Sequence, residues 1–319
     1  MSESPVTTVG IIGAGTIGSS WAAYFLARGL HVRCWDPLDG FAQNVTEFVA
    51  RSWPIMKDLG LAEGASLDNL TCFDRIGDAL EGVEFVQESG PEDPELKARL
   101  MAEIDRDIPA DVVIASSSTA LPVSEFQHLA AHPGRIVLGH PFNLPHLMAV
   151  VEVGGGKLTD SAAVDRAMAF YDAIGKTPIR LRAEIPGHLV NRLQAALYRE
   201  AVYLVAEGYA TVEDIDKAVT GGPGLRWAFM GPHMTYHLGG GDGVGSFRLR
   251  LLQRSLRVAR LPLRRHAVPH RGVARVHRAP RLRLGALRGS LRGDGPRDSS
   301  GRRRLGRFSL VLRDRKSTR

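Results

Sequence analysis

A glycine-rich segment near the start of the chain constrains the fold more than any other feature. The apolar run TTVGIIG leads into Gly13, Gly15 and Gly18, spaced as G-x-G-x-x-G, and a helical pattern follows. In this order of strand, turn and helix, Gly13 permits the turn, Gly15 lets a pyrophosphate approach the backbone, and Gly18 lets the helix pack on the strand. We therefore predict a doubly wound α/β fold whose first turn binds a dinucleotide.

An acidic residue at the end of the next apolar run indicates which dinucleotide binds. Asp36 closes the run HVRCWD, 18 residues after Gly18. A carboxylate there accepts hydrogen bonds from the adenosine ribose hydroxyls and repels a 2′-phosphate. This favours NAD over NADP, with FAD, which uses a similar fingerprint, as the alternative. The turn residues expected to contact the cofactor are Gly13, Ala14, Gly15, Thr16, Ile17 and Gly18.

Over the first 182 residues, apolar β-type runs alternate with helical patterns. Such alternation predicts a mainly parallel sheet with helices on both faces, and we assign residues 1–183 to an NAD-binding Rossmann domain. The predicted strands are Thr8–Ile12, His31–Trp35, Val83–Gln87, Val112–Ala115, Ile136–Leu138, Ala149–Val153 and Pro178–Leu181. The predicted helices between them are Ile17–Arg28, Pro94–Arg106 and Ser161–Ile174.

Residues 184–243 have a helical pattern and are expected to begin a separate, mainly α-helical domain. Apolar residues recur at helical spacing, and we expect Pro186 to open this helix. A second helix is predicted at Glu213–Val219, with Thr211 as its N-cap and Asp214 completing a partial capping box. The recurring apolar residues are Leu189, Leu193, Leu197, Ala201 and Leu204.

The formal charge of +7 is the sum of two unlike segments. Residues 244–319 carry 22 Arg and one Lys against three Asp, a net of +20, whereas residues 1–243 carry a net of −13. Out-of-frame reading of a GC-rich gene gives such a composition of Arg, Gly, Leu, Pro, Ser and Ala. We therefore expect a shift of reading frame near Gly243, or a disordered tail. The alternative from another functional class is a genuine basic arm that binds nucleic acid or an anionic membrane.

Composition and targeting signals favour a cytoplasmic protein. No apolar run approaches the 18 residues of a membrane span, and the opening segment has no basic region of the kind found in secretion signals. Cys34 and Cys72 have neither metal-binding nor disulfide spacing, which is typical of a reducing compartment. We predict no metal and no membrane partner, and a nucleic-acid partner is disfavoured.

A histidine and a glutamate are the candidate acid–base pair. His140, in GHPFN, follows a predicted strand, and Glu152 lies in the next apolar run, VVEV. A hydride transfer to NAD needs a base for the hydroxyl proton, and histidine titrates in the appropriate range. Glu152 would hold the other ring nitrogen. From position alone, an incidental surface histidine is an open alternative.

The ordered motifs, taken together, resemble the 3-hydroxyacyl-CoA dehydrogenase superfamily over residues 6–243. They are GxGxxG with Asp36, then ESGPE, SSST, GHPFN, VEV and PGHLVNR. The resemblance implies a homodimer that oxidises a 3-hydroxyl with NAD, using His140 as base and Glu152 to orient it. It implies that the helical domain begun by residues 184–243 serves substrate binding and dimerisation. It also implies that Asn191 and Thr119, with Ser118 adjacent, bind the reacting oxygen.

Other positions in these motifs carry less specific implications. Glu88 and Lys97 resemble family residues that line the nicotinamide ribose, although a solvated charged helix face would also account for them. Ser117 replaces the usual Asn of the family, and Thr119 replaces Ser. A hydroxyl is kept in both places, so a donor remains available.

The segment 221–232 indicates the substrate. GLRWAFMGP is similar to the corresponding stretch of family members that oxidise L-carnitine and, less closely, L-gulonate. Carnitine carries a quaternary ammonium, which aromatic faces bind well, so Trp227, Phe229 and Tyr236 are candidate contacts. Arg226 would pair with its carboxylate. The alternative for the aromatic residues is packing at the domain interface.

The surface charge disfavours an acyl-CoA substrate. The net charge of −13 over residues 1–243 is unsuited to a highly charged anion such as CoA. The stretch 41–70 is also shorter than the Lys-rich helical hairpin of family members that act on long-chain acyl-CoA. Its only basic residues are Arg51 and Lys57. The expected substrate is L-carnitine, with L-gulonate and 3-hydroxyacyl-CoA as alternatives.

Overall fold

The computed structural model describes residues 6–239, which form an eight-stranded sheet with helices. The strands are β1 (Thr8–Ile12), β2 (His31–Trp35), β3 (Leu70–Cys72), β4 (Phe85–Glu88), β5 (Val113–Ser116), β6 (Ile136–Pro141), β7 (Val150–Gly155) and β8 (Thr177–Arg180). The helices are α1 (Thr16–Ala27), α2 (Phe41–Leu59), α3 (Ile76–Leu80), α4 (Pro94–Asp107), α5 (Ser161–Ala173), α6 (Val190–Ala206), α7 (Val212–Gly221), α8 (Pro223–Trp227) and α9 (Pro232–Gly239).

The sheet has the order β3-β2-β1-β4-β5-β6-β7-β8, and the direction of winding reverses between β1 and β4. All neighbouring strands are parallel except β6 and β7, which pair antiparallel. A reversal of winding opens a crevice at the carboxyl ends of the strands, where open α/β sheets bind ligands. The glycine turn after β1 lies at this position.

Two apolar clusters cover the two faces of the sheet. On one face, Trp21 and Phe25 of α1 stack on each other, and Phe85 stacks on Phe170 of α5 with ring centroids 3.9 Å apart. On the other face, Met101 of α4 belongs to a cluster with residues of α3, β4 and β5. Strands β4, β5 and β6 are buried at every residue, which explains why each begins with consecutive apolar residues rather than alternating with polar ones.

The predicted fold class is confirmed, and the differences are local. The seven predicted strands appear with bounds shifted by at most three residues. Strand β3 and helix α2 were not predicted, since β3 has only three residues and α2 contains Pro54 in its interior. The expectation that Pro186 opens α6 is wrong. The chain turns at Gly187 and His188, both with positive φ, so α6 begins only at Val190.

The helical segment after β8 keeps most of its side chains at the surface. In α6, Leu193 and Leu197 are 60% and 41% exposed. Helix α7 begins with a full capping box between Thr211 and Asp214, which extends the predicted partial one. Helix α9 lies beyond Phe229, in a separate compact unit. The boundary at residue 183 stays a prediction, and the Arg-rich segment 244–319 lies outside the described residues.

Within residues 6–239, no helix is both long and apolar enough to cross a bilayer.

A buried lysine supports the loop between β6 and β7. Lys176 is 5% exposed, and its Nζ donates to the backbone carbonyls of Pro145 and Met148, the latter at 3.0 Å. The same Nζ lies 3.4 Å from the centroid of the Tyr24 ring. Among residues 6–239 it has no carboxylate partner. Burial, with Arg28 acting in the same direction, lowers the pKa of Lys176 to about 7.

Replacement of Lys176 with Met should change how stability depends on pH. Between pH 7 and 10 the unfolded chain keeps a lysine proton that the folded chain has released, so wild-type stability should rise with pH over this window. Lys176→Met lacks this gain. Urea unfolding at pH 7, 8.5 and 10 measures it, with the exposed Lys157→Met as the matched control. A difference between wild type and Lys176→Met that is constant with pH would contradict the assignment.

Candidate active site

The turn after β1 leaves room where a pyrophosphate would lie. Gly13 has φ 97°, a conformation that favours glycine, and a Cβ on Gly18 would lie 1.8 Å from the Gly13 carbonyl oxygen. A Cβ on Gly15 would meet no atom within 4 Å. Gly15 is also the N-cap of α1 and brings no capping side chain, so the first turn presents its N–H groups outward. The turn therefore fits a dinucleotide phosphate.

Asp36 is held beside this turn. One carboxylate oxygen accepts the backbone N–H of Ala14 at 2.7 Å, and the other accepts that of Leu38 at 2.9 Å. The carboxylate thus sits at the carboxyl end of β2 with lone pairs left for ribose hydroxyls. The structure places Thr16 and Ile17 in the first turn of α1. The individual roles of these turn residues in cofactor binding stay predictions.

His140 and Glu152 form a buried hydrogen-bonded pair. They are register partners on the antiparallel strands β6 and β7, so their side chains project from the same face. His140 Nδ1 lies 2.8 Å from Glu152 Oε2, and the two residues are 5% and 1% exposed. The carboxylate fixes the ring orientation and leaves Nε2 as the nitrogen able to take a proton. This arrangement suits general base catalysis.

The second oxygen of Glu152 binds the beginning of α6. Oε1 accepts the backbone N–H groups of Leu189 at 2.7 Å and Val190 at 2.9 Å. Burial alone would raise the pKa of Glu152. The hydrogen bonds from His140 and from these two N–H groups outweigh burial, so the pKa of the carboxyl lies below its usual value. Glu152 therefore stays ionised while it orients His140 and caps the helix.

The loop after β5 carries Ser118 and Thr119, which are predicted to bind the reacting oxygen of the substrate. We call it the oxygen-binding loop. Ser118 is 1% exposed, and its Oγ donates to Glu92 at 2.7 Å, whereas Thr119 is exposed. Asn191, at the start of α6, donates its side-chain N–H to the Thr119 carbonyl at 3.1 Å. The structure thus brings Ser118, Thr119 and Asn191 together on the side of the sheet that holds the start of α6. Their roles toward a substrate stay predictions.

Glu88 and Lys97 form a buried ion pair. Nζ of Lys97 lies 2.7 Å from Oε1 of Glu88, and the side chains are 1% and 0% exposed. The alternative of a solvated helix face is excluded by this burial. Ser116 and the backbone N–H of Gly90 also donate to Glu88. The pair thus braces the loop that follows β4, and its predicted contact with the nicotinamide ribose stays a prediction.

The candidate substrate contacts lie farther along the chain. Arg226 and Trp227 end the short helix α8, which packs against α7. Arg226 is exposed, Trp227 is partly buried and Phe229 is 68% exposed. Tyr236 belongs to α9 in the separate compact unit. Their role in substrate binding stays a prediction.

Two residues of the site were not singled out from the sequence. Glu92 organises the loop after β5, because its Oε1 accepts the N–H groups of Ala120 and Leu121 as well as the Ser118 hydroxyl. His188 is 2% exposed beside His140. Their motifs, ESGPE and PGHLVNR, were recognised, but a motif gives no indication of which members face inward.

Within residues 6–239 no cluster of three histidine, cysteine or acidic side chains is arranged to hold a metal ion.

Two family models match consecutive segments of the chain. The NAD-binding domain of 3-hydroxyacyl-CoA dehydrogenase matches residues 8–185, and the C-terminal domain of the same enzymes matches residues 187–273. The chain belongs to the 3-hydroxyacyl-CoA dehydrogenase family. The first match contains the glycine turn, Asp36, His140 and Glu152. This member of the family is therefore an NAD-dependent oxidoreductase.

Several curated members of the family are similar over most of their length. The L-carnitine dehydrogenase of Streptomyces griseus is 50% identical over 238 residues, which cover 75% of this chain and 71% of that one. The L-carnitine dehydrogenase of Nocardiopsis dassonvillei is 51% identical over 238 residues, which cover 75% and 72%. That of Pseudomonas putida is 44% identical over 237 residues, which cover 74% of each chain.

Solved structures support the same fold. A 5-formyl-3-hydroxy-2-methylpyridine 4-carboxylic acid 5-dehydrogenase, described as an NAD⁺-dependent dismutase, aligns with a TM-score of 0.72 at 30% identity, covering 83% of this chain and 84% of that one. The (S)-3-hydroxybutyryl-CoA dehydrogenase of Ralstonia eutropha aligns with a TM-score of 0.62 at 27% identity, covering 78% and 87%.

Two glycine substitutions should separate cofactor binding from folding. Gly15→Ala adds a methyl group only to the open space over the turn, so we expect an unchanged melting temperature and NADH affinity weakened about tenfold. Gly18→Ala forces the methyl group into the Gly13 carbonyl and should cost about 3 kcal/mol of stability. Thermal unfolding and NADH fluorescence titration measure the two effects. Wild-type NADH affinity in Gly15→Ala would argue against the turn as the phosphate site.

Glu152→Gln should lower stability in a pH-dependent way. The pKa of Glu152 is depressed in the folded state, so its stabilisation is complete above the unfolded value and is lost as pH falls through the folded value. We expect a loss of about 2 kcal/mol at pH 7 that shrinks toward pH 3.5. Denaturant unfolding at pH 7, 5 and 3.5 measures it, with the exposed Glu125→Gln as control. An equal loss at all three pH values would be inconsistent with an ionised Glu152.

Proposed function

We propose that this protein oxidises the 3-hydroxyl of L-carnitine to the ketone with NAD. The observation that carries the proposal is the buried His140–Glu152 pair at the end of the sheet where the glycine turn also lies. A base with a fixed ring orientation close to a dinucleotide site is what oxidation of a secondary alcohol requires.

In the proposed reaction, His140 Nε2 removes the proton of the substrate hydroxyl. Glu152 accepts the Nδ1–H of the ring and stabilises the imidazolium that forms, because its negative charge lies 2.8 Å away in a buried environment. NAD, when bound, supplies the acceptor for the C3 hydride. The turn at Gly15 and the Asp36 carboxylate would hold it.

The developing carbonyl oxygen needs hydrogen-bond donors, and we assign these to the loop after β5 and to α6. The Thr119 hydroxyl makes no hydrogen bond with another described residue, so it remains able to donate. Asn191 uses one N–H on the Thr119 carbonyl and keeps the second. Ser118 already donates to Glu92 and supports the loop. Donors positioned in advance lower the cost of charge development on the oxygen.

Carnitine as substrate is supported by relatives and by residue chemistry. The curated L-carnitine dehydrogenases reach 51% identity over 238 residues. In the proposal, the aromatic side chains of Trp227 and Phe229 receive the trimethylammonium group, which donates no hydrogen bonds and is attracted to π faces. The Arg226 guanidinium pairs with the carboxylate.

We further propose that the enzyme is a homodimer. Support comes from apolar side chains that α6 presents to solvent, among them Leu193 and Leu197, which are one helical turn apart and 60% and 41% exposed. Exposed apolar side chains that share a helix face are typical of an interaction surface. We assign the enzyme to the cytoplasm, in accord with the two thiols Cys34 and Cys72, which are both free.

Steady-state rates with three substrates test the proposal. NADH formation from L-carnitine, L-gulonate and 3-hydroxybutyryl-CoA should show the highest kcat/KM for L-carnitine, by about a hundredfold or more. The His140→Asn variant should lose turnover by at least about a thousandfold while NADH affinity persists. The exposed His31→Asn serves as control. A preference for either of the other substrates, or turnover retained in His140→Asn, would refute the corresponding part.

A further inference from the structure

A second histidine lies against the base and is not used by the proposed reaction. The ring of His188 is 5.0 Å from that of His140, centroid to centroid, at an interplanar angle of 50°, and the residue is 2% exposed. Its Nε2 lies 2.9 Å from the Ser118 carbonyl oxygen. Because a carbonyl only accepts hydrogen bonds, Nε2 carries a proton and donates it.

The backbone holds this ring in an uncommon conformation. His188 has φ 50° and follows Gly187 at φ 74°, while its N–H donates to the Ile185 carbonyl at 3.0 Å. Left-handed backbone is disfavoured for side chains with a Cβ, although His is among the residues found there more often. The imidazole of this tight turn is buried, and the next two residues in the sequence supply the N–H groups that bind Glu152.

His188 is suited to lie next to a group that gains a proton. Burial, the largest cause, lowers the pKa of His188, and the like charge of His140 acts in the same direction. The Ser118 carbonyl and the carboxylates of Glu152 and Glu92 act in the opposite direction and do not outweigh them. A lowered pKa favours the neutral ring, which adds no like charge beside a protonated His140.

The same short segment is joined to the oxygen-binding loop at three points. Besides the His188 bond to Ser118, the N–H of Gly187 donates to the Ala120 carbonyl, and Asn191 donates to the Thr119 carbonyl. His188 is the member of this set whose ring also contacts the base. A shift of the oxygen-binding loop would consequently displace the His188 ring and, through it, the His140 ring.

We propose that His188 is a positioning residue that fixes the distance between the base and the oxygen-binding loop. Its ring packs on His140, whose Nδ1 is hydrogen-bonded to Glu152, while its Nε2–H donates to the Ser118 carbonyl. This proposal rests on the proposed function, since it assigns His140 as the base and Thr119 as a hydrogen-bond donor to the substrate oxygen.

The substitution His188→Phe tests this role, since phenylalanine keeps a ring of similar size and lacks the N–H. We expect kcat for L-carnitine to fall about tenfold or more, with KM changed by less than about threefold and NADH affinity unchanged. A purely structural role would weaken NADH binding and raise KM as well. A kcat within about twofold of wild type, or parallel losses in all three quantities, would overturn the proposal.

A double-mutant cycle shows whether His188 acts through the base. His188→Phe and Glu152→Gln both loosen the same imidazole, so the double variant should lose less than the product of the two single losses. Losses that multiply would overturn the proposal. If His188→Phe does not fold, His188→Asn replaces it, since Asn tolerates left-handed backbone and has no ring. The same kcat loss is then expected, and wild-type kcat would overturn the proposal.

A readout without substrate separates this inference from the proposed function. The downfield proton resonance of the His140 Nδ1–H, assigned by its loss in His140→Asn, should be sharp in the wild type and broadened by exchange in His188→Phe. An identical resonance in both proteins would overturn the positioning role. Failure of the wild type to oxidise L-carnitine would instead refute the proposed substrate and leave this signal interpretable.

Discussion

The Glu152 carboxylate is the interaction on which the rest of the site depends. One oxygen binds the Nδ1 of His140 on the neighbouring strand, and the other binds the backbone N–H groups of Leu189 and Val190. A single buried charge thus orients the base and satisfies the start of helix α6. Buried charges are tolerated when hydrogen bonds compensate for desolvation, and these three bonds do so here. The orientation of the base and the docking of the first helical turn are therefore not independent.

This linkage extends to the residues around it. Glu92 holds the loop after β5 through the Ser118 hydroxyl and two backbone N–H groups. The segment from Gly187 to Asn191 binds the same loop from the other side. Glu152 accepts hydrogen bonds from β6 and from the start of α6, and Glu92 accepts them from the loop after β5. The sheet, this loop and α6 therefore form one polar network. Such networks are stabilising when every member is satisfied and costly when one is removed.

Much of this could be predicted from the sequence because spacing determines it. The G-x-G-x-x-G turn and Asp36 identify the dinucleotide site from local chemistry alone. The positions of His140 and Glu152 after neighbouring apolar runs suggest the pair, the family resemblance supports it, and the antiparallel register of β6 and β7 gives the physical reason for their spacing. By contrast, Glu92 and His188 act through contacts between distant segments, which no local pattern encodes. The start of α6 was misplaced for a similar reason. A proline suggested a first turn at 186, whereas the positive φ of His188 delays the helix to Val190.

Isotope transfer measures whether hydrogen leaves C3 of carnitine as hydride in the proposed reaction. L-carnitine deuterated at C3 is oxidised with unlabelled NAD, and the NADH formed is isolated and examined by NMR at C4 of the nicotinamide. We expect one deuterium at C4 for each NADH. NADH without deuterium, or ketone formed without NADH, would contradict it.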